Sequence, residues 1–204
     1  MEISNRSQQD LSLIRDMMER SSRFLSLSGW SGICAGSFAL AGAALAAYIL
    51  KTVPASQVGT WLVADALVVL ALAMASGIYF SWRKAKRTKH KLWTAVTRRL
   101  LVFMLLPLLT GGLYSILLIS QGRQDLVAGV TLIFYGFALI GAGHFTNREA
   151  VLLGIAEVIL GLLATVWMDQ SLWFWATGFG LFHILYGVVL FYRYDRQPQD
   201  TNRG

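Results

Sequence analysis

Six apolar stretches, each about 20 residues long and nearly free of charge, constrain this chain more than any other feature. They cover residues 28–50, 61–80, 100–120, 126–143, 150–168 and 172–192. A helix rises 1.5 Å per residue, so about 20 residues cross the roughly 30 Å hydrocarbon core of a bilayer. In lipid the backbone must satisfy its own hydrogen bonds, which leaves helices or a closed barrel. The alternating ten-residue strands of a barrel are absent from the pattern. The expected fold class is therefore all-α, a polytopic transmembrane helical bundle of six spans.

Composition agrees. Of 204 residues, 55% are hydrophobic and 14% charged, against about 25% charged in an average soluble domain. That balance excludes a disordered chain and argues against a soluble enzyme or an added soluble catalytic domain. A single cysteine, Cys34, precludes an internal disulfide.

The cationic residues divide by side. The segment before the first span (Arg6, Arg15, Arg20, Arg23), the second connection (Arg83, Lys84, Lys86, Arg87, Lys89, Lys91, Arg98, Arg99), Arg148, and the tail (Arg193, Arg196, Arg203) fall together. Only Lys51 and Arg123 fall on the other side. A 16-to-2 division of the 18 Lys and Arg places both termini in the cytoplasm. The tryptophans gather near the expected interfaces: Trp61, Trp167, Trp173 and Trp175 outside, and Trp30, Trp82 and Trp93 inside. A cleaved signal peptide is disfavoured, because residues 1–27 carry Glu2, Asp10, Asp16 and Glu19 where a leader is short and basic.

Three parts follow: an amphipathic interfacial helix in residues 1–27, a six-helix transmembrane domain in 28–192, and a short cytoplasmic tail in 193–204. Leu11, Ile14, Met18 and Leu25 recur at helical spacing, with the pairs Asp16–Arg20 and Glu19–Arg23 on the polar side. This helix is either a lead-in to the first span or a docking element for a cytoplasmic partner. Arg83, Lys84, Lys86, Arg87, Lys89 and Lys91 read as a loop that anchors topology and meets anionic lipid head groups. Direct nucleic-acid binding is disfavoured, since so short a loop offers no recognition helix or aromatic platform.

Ionisable groups at membrane depth are costly and are candidates for function. Asp65 lies near the outer boundary and within reach of water. Glu157 and His183 are deeper: each stands 13 residues from Gln170, where the last two spans turn, so each lies about 20 Å from that turn. Gly154, Glu157 and Gly161, and likewise Gly180, His183 and Gly187, share the pattern G-x-x-[E/H]-x-x-x-G. The spacing predicts a Glu157–His183 contact, with Gly154 level with Gly187 and Gly161 with Gly180 across a closely packed hairpin. Such a pair either locks helix register or forms a proton-responsive or ligand site. Depth counting adds Tyr135 and Thr110 as lining residues, beside a third span kinked by Pro107, Gly111 and Gly112. Gly29/Gly36 and Gly129/Gly136/Gly143 repeat the seven-residue spacing.

Enzymatic readings fail on geometry. Gly29-Trp30-Ser31-Gly32 is similar to the G-x-S-G of rhomboid proteases, but Ser31 lies at the end of the first span, far in depth from His183. His144 and His183 differ in depth and do not suit haem. No phosphate loop, metal site or other cofactor motif is present.

Residues Arg15 to Gly29, with Met17-Met18-Glu19-Arg20-Ser21 and Phe24, resemble the N-terminal I-R-x-M-M-E-R-S-x-x-F motif of a group of bacterial six-span membrane proteins with no known activity. The likeness covers the N-terminal helix, the first span and the layout. It implies a bacterial inner membrane and a cytoplasmic regulatory partner, because such proteins are often encoded beside small winged-helix regulators. The last hairpin is similar to the glycine-spaced hairpins of HdeD-type membrane proteins. Two functions stand: a non-enzymatic sensor or accessory protein with a cytoplasmic partner, or a small proton-coupled transporter using Glu157 and His183. The scarcity of polar groups on several spans favours the first.

Overall fold

The computed structural model describes residues 28–88 and 94–196, and the regular elements among them are all helical. Six of these helices are long and apolar enough to cross a membrane, the architecture of a multi-pass membrane protein. They are α1 (Gly29–Thr52), α2 (Ala55–Thr88), α3 (Ala95–Ser120), α4 (Val127–Gly143), α5 (Arg148–Val166) and α6 (Met168–Asp195). The interfacial helix expected in residues 1–27, Lys89, Lys91 and residues 197–204 lie outside the described residues.

Local chemistry sets several boundaries. The Thr94 side chain accepts from the Thr97 amide at 3.2 Å and caps α3. Gly122 adopts φ +74° in the turn after α3, a conformation that glycine takes without the Cβ clash other residues meet. Pro107 lies inside α3, yet that helix continues from Ala95 to Ser120 rather than breaking.

Two boundaries differ from the sequence expectation. Helix α2 does not end near Phe80 but runs to Thr88, so Arg83, Lys84, Lys86 and Arg87 stand on a helix rather than in a loop. Lys, Arg and Ala are good helix formers, and two local contacts support the extension. Lys86 Nζ lies 5.3 Å from the Trp82 ring centre, and Lys84 pairs with Asp195 at 2.7 Å. At 34 residues α2 is about 50 Å long, well beyond the hydrocarbon thickness. Helix α6 likewise continues to Asp195, which removes Arg193 from the expected tail.

Helix α1 packs between α2 and α6, and α4 between α3 and α5; α6 also touches α4 and α5. The inner helices are thus α1, α4, α5 and α6. None of the apolar window of α2 is buried within the protein, against 44% for α4. The outward residues of α2 and α3 are large and apolar, including Leu67, Ile78, Leu106 and Leu113, as a lipid-facing surface requires.

Two antiparallel glycine seams join the inner helices. A Cβ on Gly136 would come within 2.6 Å of the Gly154 carbonyl oxygen, and one on Gly161 within 2.8 Å of that of Gly129. In the other seam, a Cβ on Gly36 would lie 2.5 Å from the Gly180 carbonyl oxygen, and one on Gly187 2.6 Å from that of Gly29. Gly154 and Gly161 therefore face α4, and Gly180 and Gly187 face α1. The expected pairing of Gly154 with Gly187 and of Gly161 with Gly180 is not what forms. Seven-residue spacing identifies a face that admits a close neighbour, but does not name that neighbour.

At the end of the bundle where α1 begins, Asp195 draws three helices together. Its Oδ2 accepts from the Gly29 amide at 2.8 Å and from the Ser28 hydroxyl at 3.1 Å, while Oδ1 meets Lys84 of α2. A carboxylate placed there also complements the positive end of the α1 dipole. Arg193 pairs with Glu149 of α5 nearby. Trp30 packs among Phe80 and Phe191, with ring centres 6.5 and 5.7 Å away.

Candidate functional site

Glu157 is the central residue of the 19-residue α5, the furthest point from water along that helix. Helix α5 turns Gly154 and Gly161 towards α4, and offsets of three and four residues carry Glu157 about 60° round, to face α6. Its residue is 0% exposed and His183 is 6% exposed. The expected proximity is present: Glu157 Oε1 lies 3.4 Å from His183 Nδ1.

The imidazole is committed elsewhere. His183 Nδ1 lies 3.0 Å from the Gly178 carbonyl, which can only accept, so Nδ1 carries a hydrogen and donates it. In a neutral ring Nε2 is then an acceptor, and it receives the Tyr135 hydroxyl at 2.7 Å. The Phe179 ring stacks on the imidazole, with centres 6.0 Å apart and planes at 17°, and packs against Tyr135 at 4.8 Å with the planes tilted by 46°. Tyr135 is thus brought into the site, as expected.

Among the described residues, both Glu157 oxygens lack a hydrogen-bond partner. A distance of 3.4 Å exceeds the usual 2.7–3.2 Å, and the Nδ1 hydrogen is used by Gly178. Glu157 is held close to a donor without using it.

The reason for this arrangement lies in α6. Residues Ala176–Phe182 form a π-helical turn between the α-helical pieces Ser171–Trp175 and His183–Leu190. On an α-helix, positions 178 and 183 would be about 140° apart and face different neighbours. A π turn holds about 4.4 residues, which reduces that angle to roughly 50°. Gly178 and His183 therefore share a face, and both look at Glu157. Gly178 is also a steric requirement, since a Cβ there would overlap Glu157 Oε2 and come within 2.7 Å of Leu132 Cδ2.

Other expected residues are placed elsewhere. Thr110 is exposed on α3, where its hydroxyl returns to the Leu106 carbonyl at 2.9 Å, so it does not line the site. Depth was the right coordinate, but its azimuth turns it outward. Asp65 faces α1 at Gly42, 3.6 Å from where a Cβ would stand. Ser31 bonds the Ser28 carbonyl at 2.5 Å, and Gly29 and Gly32 pack on α6, which accounts for that Gly-Ser-Gly motif as part of a helix contact. Arg83, Lys86 and Arg87 are exposed near the basic end of α2.

Sequence reasoning missed Gly178, Phe179 and Leu132. The one available signal is Gly178 two residues before Gly180, an extra glycine that the seven-residue spacing of the seam does not need. No family model, curated protein or solved structure matches this chain.

Proposed function

We propose that this chain is a non-enzymatic, proton-responsive sensor of a bacterial inner membrane, with both termini in the cytoplasm. One observation carries the reading: a fully enclosed carboxyl without a hydrogen-bond donor, 3.4 Å from an imidazole that is itself bonded to a tyrosine and a backbone carbonyl. An isolated buried carboxylate is costly, so the acid form is the state that fits this arrangement. Loss of its proton creates a charge that the cluster must rearrange to meet. Such a group converts proton activity into a change of conformation.

The cationic residues support the orientation. Exposed Arg83, Lys86 and Arg87 on the projecting end of α2 suit anionic lipid head groups. The resemblance of the N-terminal motif supports a cytoplasmic regulatory protein as the partner.

The test is infrared difference spectroscopy of the protein in lipid nanodiscs, between about pH 5 and pH 9, across the histidine range. We expect a protonated-carboxyl band that changes with pH and is absent in Glu157→Gln. A band that does not change refutes the reading. A second function, proton-coupled transport, draws on the interruption of α6 beside the same carboxyl, a feature shared with helices at transporter sites. Substrate-dependent proton flux in proteoliposomes, lost in Glu157→Gln, establishes transport in place of sensing.

A further inference from the structure

The π turn does more than place Gly178. It holds one more residue than the α-helix on either side, and such turns are uncommon and concentrate at functional positions. Its carbonyl at Gly178 accepts from the His183 side chain at a separation of five residues, the spacing of the π turn itself. Beside the same nitrogen stands the unpartnered Glu157 carboxyl. The Nδ1 hydrogen therefore has two acceptors within reach, one stabilising the π turn and one not.

We infer that the turn Ala176–Phe182 is a register switch, π-helical while Glu157 holds its proton and closing to an α-helix when the proton leaves. On deprotonation the proton passes to bulk water, and the new carboxylate draws the Nδ1 hydrogen from Gly178 to Glu157. The Gly178 carbonyl, released from the side chain, takes the Phe182 amide in α spacing. No covalent bond other than the acid O–H is broken. The inference rests on the proton-responsive reading of Glu157 given above and adds what moves.

The packing decides which part moves. Gly187 is locked against the backbone of α1, and Gly180, in the second half of the turn, packs on Gly36 and Leu40, so α6 from Gly180 onward is held. The piece Ser171–Trp175 is not in that seam, and Trp173 within it is 77% exposed. Closing the turn with its additional residue retained passes that residue into the adjoining piece, which rotates by about 100° and shifts by about 1.5 Å. For a side chain about 5–6 Å from the axis the displacement is roughly 8 Å. The groups facing the switch are Tyr135 from α4, Glu157 from α5 and His183 from α6 itself, while the Tyr186 hydroxyl donates to Asn147 at 3.3 Å. From α1 the contacts are Gly36 and Leu40.

The experiment uses the full chain in nanodiscs with Cys34→Ser. Spin labels replace Trp173 and Leu50, two exposed positions at the end of the bundle away from Asp195. Pulsed electron resonance should show a distance change of several ångström between about pH 5 and pH 9 in the parent. Glu157→Gln should keep the acid distance at both values, and so should deletion of Thr177, which takes out the additional residue and leaves the flanking pieces in their acid register. An unchanged distance while the Glu157 infrared band does change overturns the switch and leaves the proton-responsive reading standing. An unchanged band overturns both. Should Glu157→Gln fail to fold, the parent and the Thr177 deletion decide: a pH shift that persists in the deletion overturns the proposal.

Discussion

Replacing Gly187 with alanine tests whether backbone contact, rather than general apolar burial, holds α1 to α6. The added Cβ would lie 2.5 Å from the Ile33 amide nitrogen, 2.6 Å from the Gly29 carbonyl oxygen and 2.9 Å from the Gly32 carbonyl carbon. All three are backbone atoms, so no side chain can turn aside. Ordinary contact begins near 3.4 Å, and the helices must part by about 0.9 Å. A gap of that size forfeits a quarter to a half of each dispersion contact along the seam. Overpacking of this kind costs about 1–3 kcal/mol. Gly77 is the internal control, because a Cβ there meets nothing within 4 Å among the described residues. Gly77→Ala should be neutral or stabilising, by up to about 1 kcal/mol from helix propensity. Reversible unfolding in mixed micelles, followed by tryptophan fluorescence, should separate the two variants by about 1–4 kcal/mol. Equal stabilities would refute the claim that the seam is a backbone contact.

Two further substitutions probe other contacts. Tyr135→Phe keeps the ring packing on Phe179 but leaves the buried His183 Nε2 without its donor, and should cost about 1–3 kcal/mol in the same unfolding assay. Asp195→Ala removes the acceptor for the Gly29 amide and the ion pair with Lys84; loss of the helix cap alone should cost about 0.5–2 kcal/mol. Combining Asp195→Ala with Lys84→Ala should then cost less than the sum of the single changes, and strict additivity would show that the ion pair contributes nothing.

Much of the fold was legible because lipid imposes a length. An apolar run of about 20 residues reports a span whatever its neighbours are, and all six helices lie where those runs do. Depth was legible by the same arithmetic, which is why Glu157 and His183 meet. Azimuth was not. Thr110 was placed at the right level but turns outward on α3, and the eight seam glycines announced close packing without naming α4 for Gly154 or α1 for Gly187. The π turn left no trace in hydropathy, since one additional residue in a helix changes neither its length class nor its composition. Gly178 and Phe179 were missed for that reason alone. The end of α2 was not legible because a cationic run reads equally as a loop or a helix: Lys and Arg favour helix as readily as they anchor topology, and Arg83, Lys84, Lys86 and Arg87 stand on α2.

The partnership of α1 with α6 bears on the order of events during synthesis. Gly36 leaves the ribosome 144 residues before Gly180, which at about 5–20 residues per second is a delay of roughly 7–30 s. Throughout that interval the first helix resides in lipid with its narrow face unmatched. The α1–α6 seam therefore forms only after α6 has been made, and chains truncated before α6 should remain open targets for membrane quality control.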